Sequence, residues 1–200
     1  MITTLLAQGV RLFTGAQARW VGCVPDPRQR IYFANHTSHL DLVLLWAALP
    51  TPIRRRTRPV AARDYWEKGK IRRIMAENHF RAILIDRSNI TKSNNPMGPL
   101  LAALAAGDSL IVFPEGSRGP GPEVGEFKGG LYHLAKSQPE VECVPVYIEN
   151  LNRVMPKGEF LPIPILCSVC FGAPLHPLPE EGKPEFLKRA REAVVRLSRA

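Results

Sequence analysis

Apolar residues recur along this chain with two different spacings. Near the N-terminus, Ile2, Leu5, Leu6, Val10, Phe13 and Ala16 fall near one face of a helix, with Leu12 and Trp20 nearby and Arg11 and Arg19 elsewhere. Such a helix either packs on its own domain or lies in a membrane interface with Trp20 near the headgroups. From residue 29 onward, short β-type runs alternate with helical patterns. The runs predict strands at 30–34, 59–62, 82–86, 109–113, 143–148 and 165–171, and helices at 40–48, 65–77, 96–106, 128–137 and 184–199. Gly107 is placed as a helix stop and Pro184 as a helix start. This alternation predicts an α/β fold, a mixed and largely parallel central sheet flanked by helices, with an N-terminal amphipathic helix. The chain divides into an amphipathic segment, 1–24, and a domain, 25–200.

Composition narrows the class. A chain of 200 residues, 45% hydrophobic and 22% charged, has the length and balance of one folded domain. The clearest apolar run, 42–49, is far short of the roughly 20 residues a spanning helix needs. The first residues lack the basic region of a secretory signal. The chain is therefore expected not to cross a membrane, which leaves open that it lies on one. Lysine and arginine number 27 against 18 acidic residues, a net charge of +9, which favours anionic partners. Nine of those cations, Arg54, Arg55, Arg56, Arg58, Arg63, Lys68, Lys70, Arg72 and Arg73, crowd one stretch near Trp46, Tyr65 and Trp66. With the N-terminal helix, that stretch is expected to face an anionic membrane surface. Four cysteines are too few for a disulfide framework here, and Cys167 and Cys170 sit in an apolar run that predicts a buried, reduced strand.

The unusual polar residues cluster just after predicted strands, where α/β sheets gather ligand-binding groups. Asn-His-Thr-Ser-His-Leu-Asp (35–41) follows the first strand, Arg87-Ser88-Asn89 the third, and Pro114-Glu115-Gly116-Ser117-Arg118-Gly119 the fourth. On one continuous helix His36 and Asp41 would point about 140° apart. A loop holding His36 that turns into a helix near His39 brings them together, letting the carboxylate fix one ring nitrogen and leave the other as a base. The plainer alternative is a loop histidine and a helix-start carboxylate. The chain has no Gly-x-Ser-x-Gly elbow and no cysteine in an evidently activating setting. A base at His36 then implies a nucleophile supplied by the substrate, an alcohol attacking an acyl group. Gly116 and its neighbours permit backbone groups to approach an anion closely, Arg118 adds a phosphate-matching fork, and Glu115 can bind an acceptor hydroxyl or orient an arginine. Arg87 is a second fork and Lys128, in Phe-Lys-Gly-Gly, a third cation.

Together these blocks resemble a known family. His36-x-x-x-x-Asp41, Arg87, Phe113-Pro114-Glu115-Gly116-Ser117-Arg118 and Val144-Pro145-Val146 stand in the order seen in the glycerolipid acyltransferases, the family of the bacterial 1-acylglycerol-3-phosphate acyltransferases, which this chain resembles. The resemblance covers about residues 29–150. It implies acyl transfer from acyl-CoA or acyl-carrier protein to a glycerophosphate-type hydroxyl in phospholipid biosynthesis. It assigns catalysis to His36 and Asp41, acceptor-phosphate contacts to Arg87, Glu115, Gly116 and Arg118, with Ser117 and Lys128 alongside, and the acyl side to Val144, Pro145 and Val146. It makes 25–200 an acyltransferase domain on the cytoplasmic side of the inner membrane, peripheral or monotopic. The thioester donor is already activated, so no cofactor and no metal is expected. Where the family usually carries a glycine before its arginine strand, this chain reads His79-Phe80-Arg81-Ala82. Lysophosphatidate fits the cations; glycerol 3-phosphate, another lysophospholipid or a lyso-aminolipid are alternative acceptors.

Two other classes remain in view. A metal-dependent hydrolase could draw on His36, His39 and Asp41 with His79, His133 or His176. A non-catalytic binder of anionic membranes would use the charge alone. Nucleic acid is not expected as a partner, since aromatic residues are not arrayed along a basic strand.

Overall fold

A computed structural model describes residues 2–86, 95–119, 123–149 and 167–199. Its seven-stranded sheet runs β1-β7-β6-β2-β5-β3-β4, from β1 (Gln17–Trp20), β2 (Arg30–Ala34), β3 (Thr57–Ala62), β4 (Ile83–Ile85), β5 (Ser109–Val112), β6 (Glu142–Glu149) and β7 (Ser168–Phe171). Pairing is parallel throughout except where β6 meets β7, so β7 and β1 run against the other five. This is the expected α/β architecture. Every residue of β2 is buried, because helices cover both faces of the central strands. Tyr32 and Ala34 point into one core, Ile31 and Phe33 into the other.

One layer contains α1 (Ile2–Thr14), α2 (Asp41–Ala48), α3 (Thr51–Arg55), α4 (Arg63–Trp66) and α5 (Lys70–Ile74). The other contains α6 (Met97–Ala105), α7 (Gly130–Ser137) and α8 (Lys183–Leu197). The helix α2 is apolar on nearly every side and buried to match. Its C-terminal carbonyls are held by two arginines. Arg11 donates through Nε to Ala47 O and through Nη2 to Ala48 O, both at 2.7 Å, and Arg54 donates through Nη1 to Leu49 O at 2.9 Å. Cations at a helix C-terminus also oppose its negative dipole end. Leu6, Ala7 and Val10 of α1 pack on the core, whereas Leu5 and Leu12 face outward, 61% and 88% exposed.

The sequence expectations differ from the structure at β1 and over 65–77. β1 was not predicted: it is an edge strand with three exposed residues, so no alternation marks it, and its anchor is Trp20 stacked on Phe171 at 3.9 Å. The single helix expected over 65–77 is broken by Gly69, at φ 110°, into α4, α5 and one π-helical turn, Met75–His79. That turn runs into Arg81 at φ 52°, a left-handed conformation that favours glycine. Arg81 stands next to the place where the family pattern carries its glycine, and its side chain reaches Arg55 O at 3.0 Å and Asp108 at 3.3 Å.

The basic stretch 54–73 does not form one face. Arg54 is buried over Trp46, Arg58 turns to Asp108, and Arg63 to Asp86 and Glu67. None of the four cysteines is in a disulfide, and burial pushes the Cys143 thiol up to about 12 and Cys167 up to about 11. Among the described residues no helix is long and apolar enough to cross a membrane.

Candidate active site

The loop after β2 is fastened from both sides. Asn35 continues the β2–β6 pairing with its side chain: Nδ2 donates to Ile148 O at 3.0 Å, and Oδ1 accepts from Ile148 N at 2.8 Å. His36 then turns away from the sheet. Its backbone N–H donates to Glu115 Oε1 at 2.7 Å, and its carbonyl accepts from Gly119 N at 3.0 Å. Asp41 opens α2, fully buried, and reaches back over the loop. A single oxygen, Oδ2, gathers His36 Nδ1 at 2.8 Å, Thr37 N at 2.6 Å and Ser38 N at 2.7 Å. The five-residue separation is thus bridged by a loop and one helical start, not by a helix. With Nδ1–H donating to the carboxylate, Nε2 is the ring nitrogen left as a proton acceptor. The imidazole stacks on Phe113 with centroids 4.5 Å apart, which fixes its plane.

His36 lines a cavity of about 360 Å³ at the C-terminal ends of the parallel strands. Its two parts differ. Around His36 are Gly116, Arg118, Lys128 and Gly130 at the first turn of α7, a cationic rim whose helix end adds positive dipole. Deeper in, Val60, Ile85, Leu100, Leu131 and Leu134 make an apolar wall. Gly116 has φ 73°, and a Cβ there would meet Lys128 Nζ at 2.8 Å, so glycine both makes the turn and lets the lysine lie across it. Gly116 N–H is committed to Phe113 O, but no hydrogen bond ties up the backbone N–H of Ser117 or Arg118 among the described residues.

Glu115 fastens two segments of backbone. It is buried and both oxygens are occupied by backbone donors, Oε1 by His36 N and Oε2 by Gly125 N at 3.0 Å. It ties the loop after β2 to the segment before α7. Burial pushes its carboxyl above the ordinary range, against the lowering effect of those two bonds. Val144, Pro145 and Val146, expected on the acyl side, do not line this cavity. They are buried on β6, Val144 and Val146 in the core under α1 and α2. Arg87 lies outside the described residues. Ser117 is exposed on the turn and does not line the cavity.

His39 also lines the cavity, stacked on Tyr65 at 4.5 Å, with the Arg72 guanidinium 4.6 Å from the same tyrosine ring. Burial, then the charges of Arg118, His36 and Arg72, hold its pKa below the ordinary histidine value. Among the described residues no group of three His, Cys, Asp or Glu side chains is arranged to hold a metal ion. Reasoning from sequence missed Asn35, whose signal was a polar residue directly after a fully apolar strand. It also missed the apolar wall: Leu100, Leu131 and Leu134 sit at helical spacing, and spacing does not separate a cavity wall from a filled core.

The comparisons agree with one another. A family model described as Acyltransferase matches residues 23–149. The 1-acyl-sn-glycerol-3-phosphate acyltransferase of Limnanthes alba is 30% identical over 152 residues, 74% of this chain and 51% of that protein. Its namesake from Haemophilus influenzae is 29% identical, covering 70% of this chain and 65% of that one, and the human alpha form is 28% identical, covering 88% and 60%. The chain spans about half the length of the first of these relatives. The crystal structure of the 1-acyl-sn-glycerophosphate (LPA) acyltransferase PlsC from Thermotoga maritima matches in fold with a TM-score of 0.78, at 20% identity, over 99% of this chain and 78% of that one.

Proposed function

The chain belongs to the acyltransferase family, and from that premise we propose that it moves a fatty acyl group from a thioester, acyl-CoA or acyl-carrier protein, to the free hydroxyl of 1-acylglycerol 3-phosphate, giving phosphatidate for phospholipid synthesis. The observation that carries the proposal is the position of the His36–Asp41 pair, at the line where a cationic rim meets an apolar cavity. A lysophosphatidate needs both environments, one for its phosphate and one for chains. The relatives named for this acceptor support the choice. Another lysophospholipid, a lyso-aminolipid or glycerol 3-phosphate is the alternative acceptor within the same chemistry.

In this reaction His36 Nε2 takes the acceptor's hydroxyl proton as that oxygen attacks the thioester carbonyl. Asp41 holds the ring through Nδ1–H and stabilises the imidazolium that forms. The C–O bond forms, the tetrahedral intermediate collapses, the C–S bond breaks, and the proton passes from His36 to the departing thiolate. Arg118 and Lys128 meet the acceptor phosphate, with Arg87 as a third cation from the strand exit before them. Backbone N–H groups of the Ser117–Arg118 turn are the candidate donors to the oxyanion, a contribution of about 3 to 4 kcal/mol where such donors have been removed. Glu115 positions His36 through its backbone. Burial raises the Cys143 and Cys167 thiols and makes them poor nucleophiles, in keeping with an attacking atom supplied by the acceptor. The acceptor is a lipid, and the protein works as a peripheral enzyme at an anionic membrane surface.

The test is product formation from oleoyl-CoA and lysophosphatidate, followed by mass spectrometry. Phosphatidate should form with the parent, and His36→Ala, still folded, should be slower by roughly 100-fold to 10,000-fold. Near-normal turnover by His36→Ala would remove the general base from this mechanism.

A further inference from the structure

α5 has five residues and none is buried. Residues 67–74 form one continuous exposed stretch. Within it Ile71 and Ile74, three apart and so on the same side of the helix, are 80% and 48% exposed. A single exposed apolar side chain is ordinary on a protein surface. Two isoleucines on a helix with no buried residue are different, because the first stands mostly in solvent and the second about half in it. Around them stand Lys68, Lys70, Arg72 and Arg73. Arg73 is paired with Glu77, but Lys68 and Lys70 have no acidic partner among the described residues, and Arg72 rests on Tyr65. Of the arginines upstream, Arg54 is turned inward and Arg58 and Arg63 are paired, as described above, whereas Arg55 and Arg56 are exposed at the other end of the stretch; beside the cavity, the cations without an acidic partner among the described residues are those of α5 and the turn before it. The helix also sits beside the cavity: Tyr65 and Trp66 of α4 line it, and the Arg72–Tyr65–His39 stack links α5 to its mouth.

We propose that α5 and the turn before it are the surface that seats on an anionic bilayer, with Ile71 and Ile74 entering the interface and Lys68, Lys70 and Arg72 meeting lipid phosphates, so that the cavity mouth opens at the membrane. An amphipathic pair of this kind binds through apolar insertion plus attraction to anionic lipid. The part of the proposal concerning delivery of the acceptor rests on the acyl-transfer reading above; the docking itself does not. The outward stripe Leu5–Leu12 of α1 projects from the same helical layer but carries no such cluster of unpaired cations.

The experiment is vesicle flotation of the full chain, with phosphatidylcholine alone and with phosphatidylcholine mixed with phosphatidylglycerol. Binding to the anionic vesicles should exceed binding to the neutral ones and should weaken as salt is raised. Lys68→Gln with Lys70→Gln should lower anionic binding roughly 25-fold, about fivefold per cation. Ile71→Glu with Ile74→Glu should abolish it, while Leu5→Glu with Leu12→Glu should leave most of it. All these side chains are exposed, so urea midpoints should stay at the parent value and certify the fold. Equal binding to both vesicle types, or loss of binding in the α1 variant with retention in the α5 variant, overturns the proposal. Flotation reads no acyl transfer. A protein that docks as described but makes no phosphatidate would therefore count against the enzymatic reading alone.

Discussion

The connections that follow β2 and β3 lie in the same helical layer and meet solvent in opposite ways. After β2, the chain is fastened by a run of hydrogen bonds: Asn35 to β6, His36 to Glu115 and Asp41, Thr37 and Ser38 to Asp41, and the far end of α2 to Arg11 and Arg54. After β3, two short helices and a π-helical turn are joined at a left-handed glycine, and the middle of the segment is bare. The first region holds reacting groups to a fraction of an ångström, which acyl transfer requires. The second trades burial for a surface. The contrast suggests that rigidity is concentrated where bonds form, and that the rim around it is free to specialise in contact.

That contrast can be broken most directly at Asp41. Asp41→Asn keeps the shape but replaces an acceptor of three N–H bonds with a group that also donates. Acyl transfer should fall by about 100-fold to 10,000-fold, through the rate and not through acceptor affinity, as a kcat and KM comparison would reveal. Wild-type kcat in this variant would mean that the loop after β2 needs no anionic anchor. A stability pair sharpens the same point. Leu45→Ala, in the middle of α2 and fully buried, should cost about 2 to 5 kcal/mol in urea unfolding. Ile71→Ala, on α5, should change stability by no more than about 0.5 kcal/mol. Similar costs at the two sites would contradict the difference between the regions. The smallest effect concerns His39, which stands where they meet. Its pKa is lowered from 6.5 in the folded chain. The stability linked to its neutral form is therefore complete above about pH 6.5 and is lost as pH falls through the lower folded value. His39→Gln should flatten that part of the stability profile slightly, seen as a smaller drop in urea midpoint between pH 8 and pH 5. An unchanged profile would show that the histidine is not the titrating group.

The central sheet was legible in the sequence because its strands are uninterrupted apolar runs between turn residues, and a parallel core leaves that mark. The adjacency of His36 and Asp41 was legible only as one of two readings, since a helix start between them permits the contact without requiring it, and the order of the other blocks favoured it. The edge strand β1 left no mark, since its residues face solvent and its order comes from pairing with β7. The break at Gly69 was hidden inside a pattern that reads as one helix. Glu115 was read by residue type as a substrate contact, and only geometry reveals that its oxygens are already occupied. Arg81 is instructive in the other direction. The departure from the family pattern near Arg81 was visible in the sequence, but the left-handed turn that Arg81 makes out of the π-helical segment was not.

The bonds from Arg11 to α2 have a practical consequence for anyone preparing the protein. α1 looks like a dispensable leader, apolar on one side and with two leucines in solvent. Trimming it would uncover the carbonyls of Ala47 and Ala48 at the end of the helix whose other end is Asp41. A shortened protein could dissolve better and still lose turnover, and the loss would be mistaken for loss of membrane attachment.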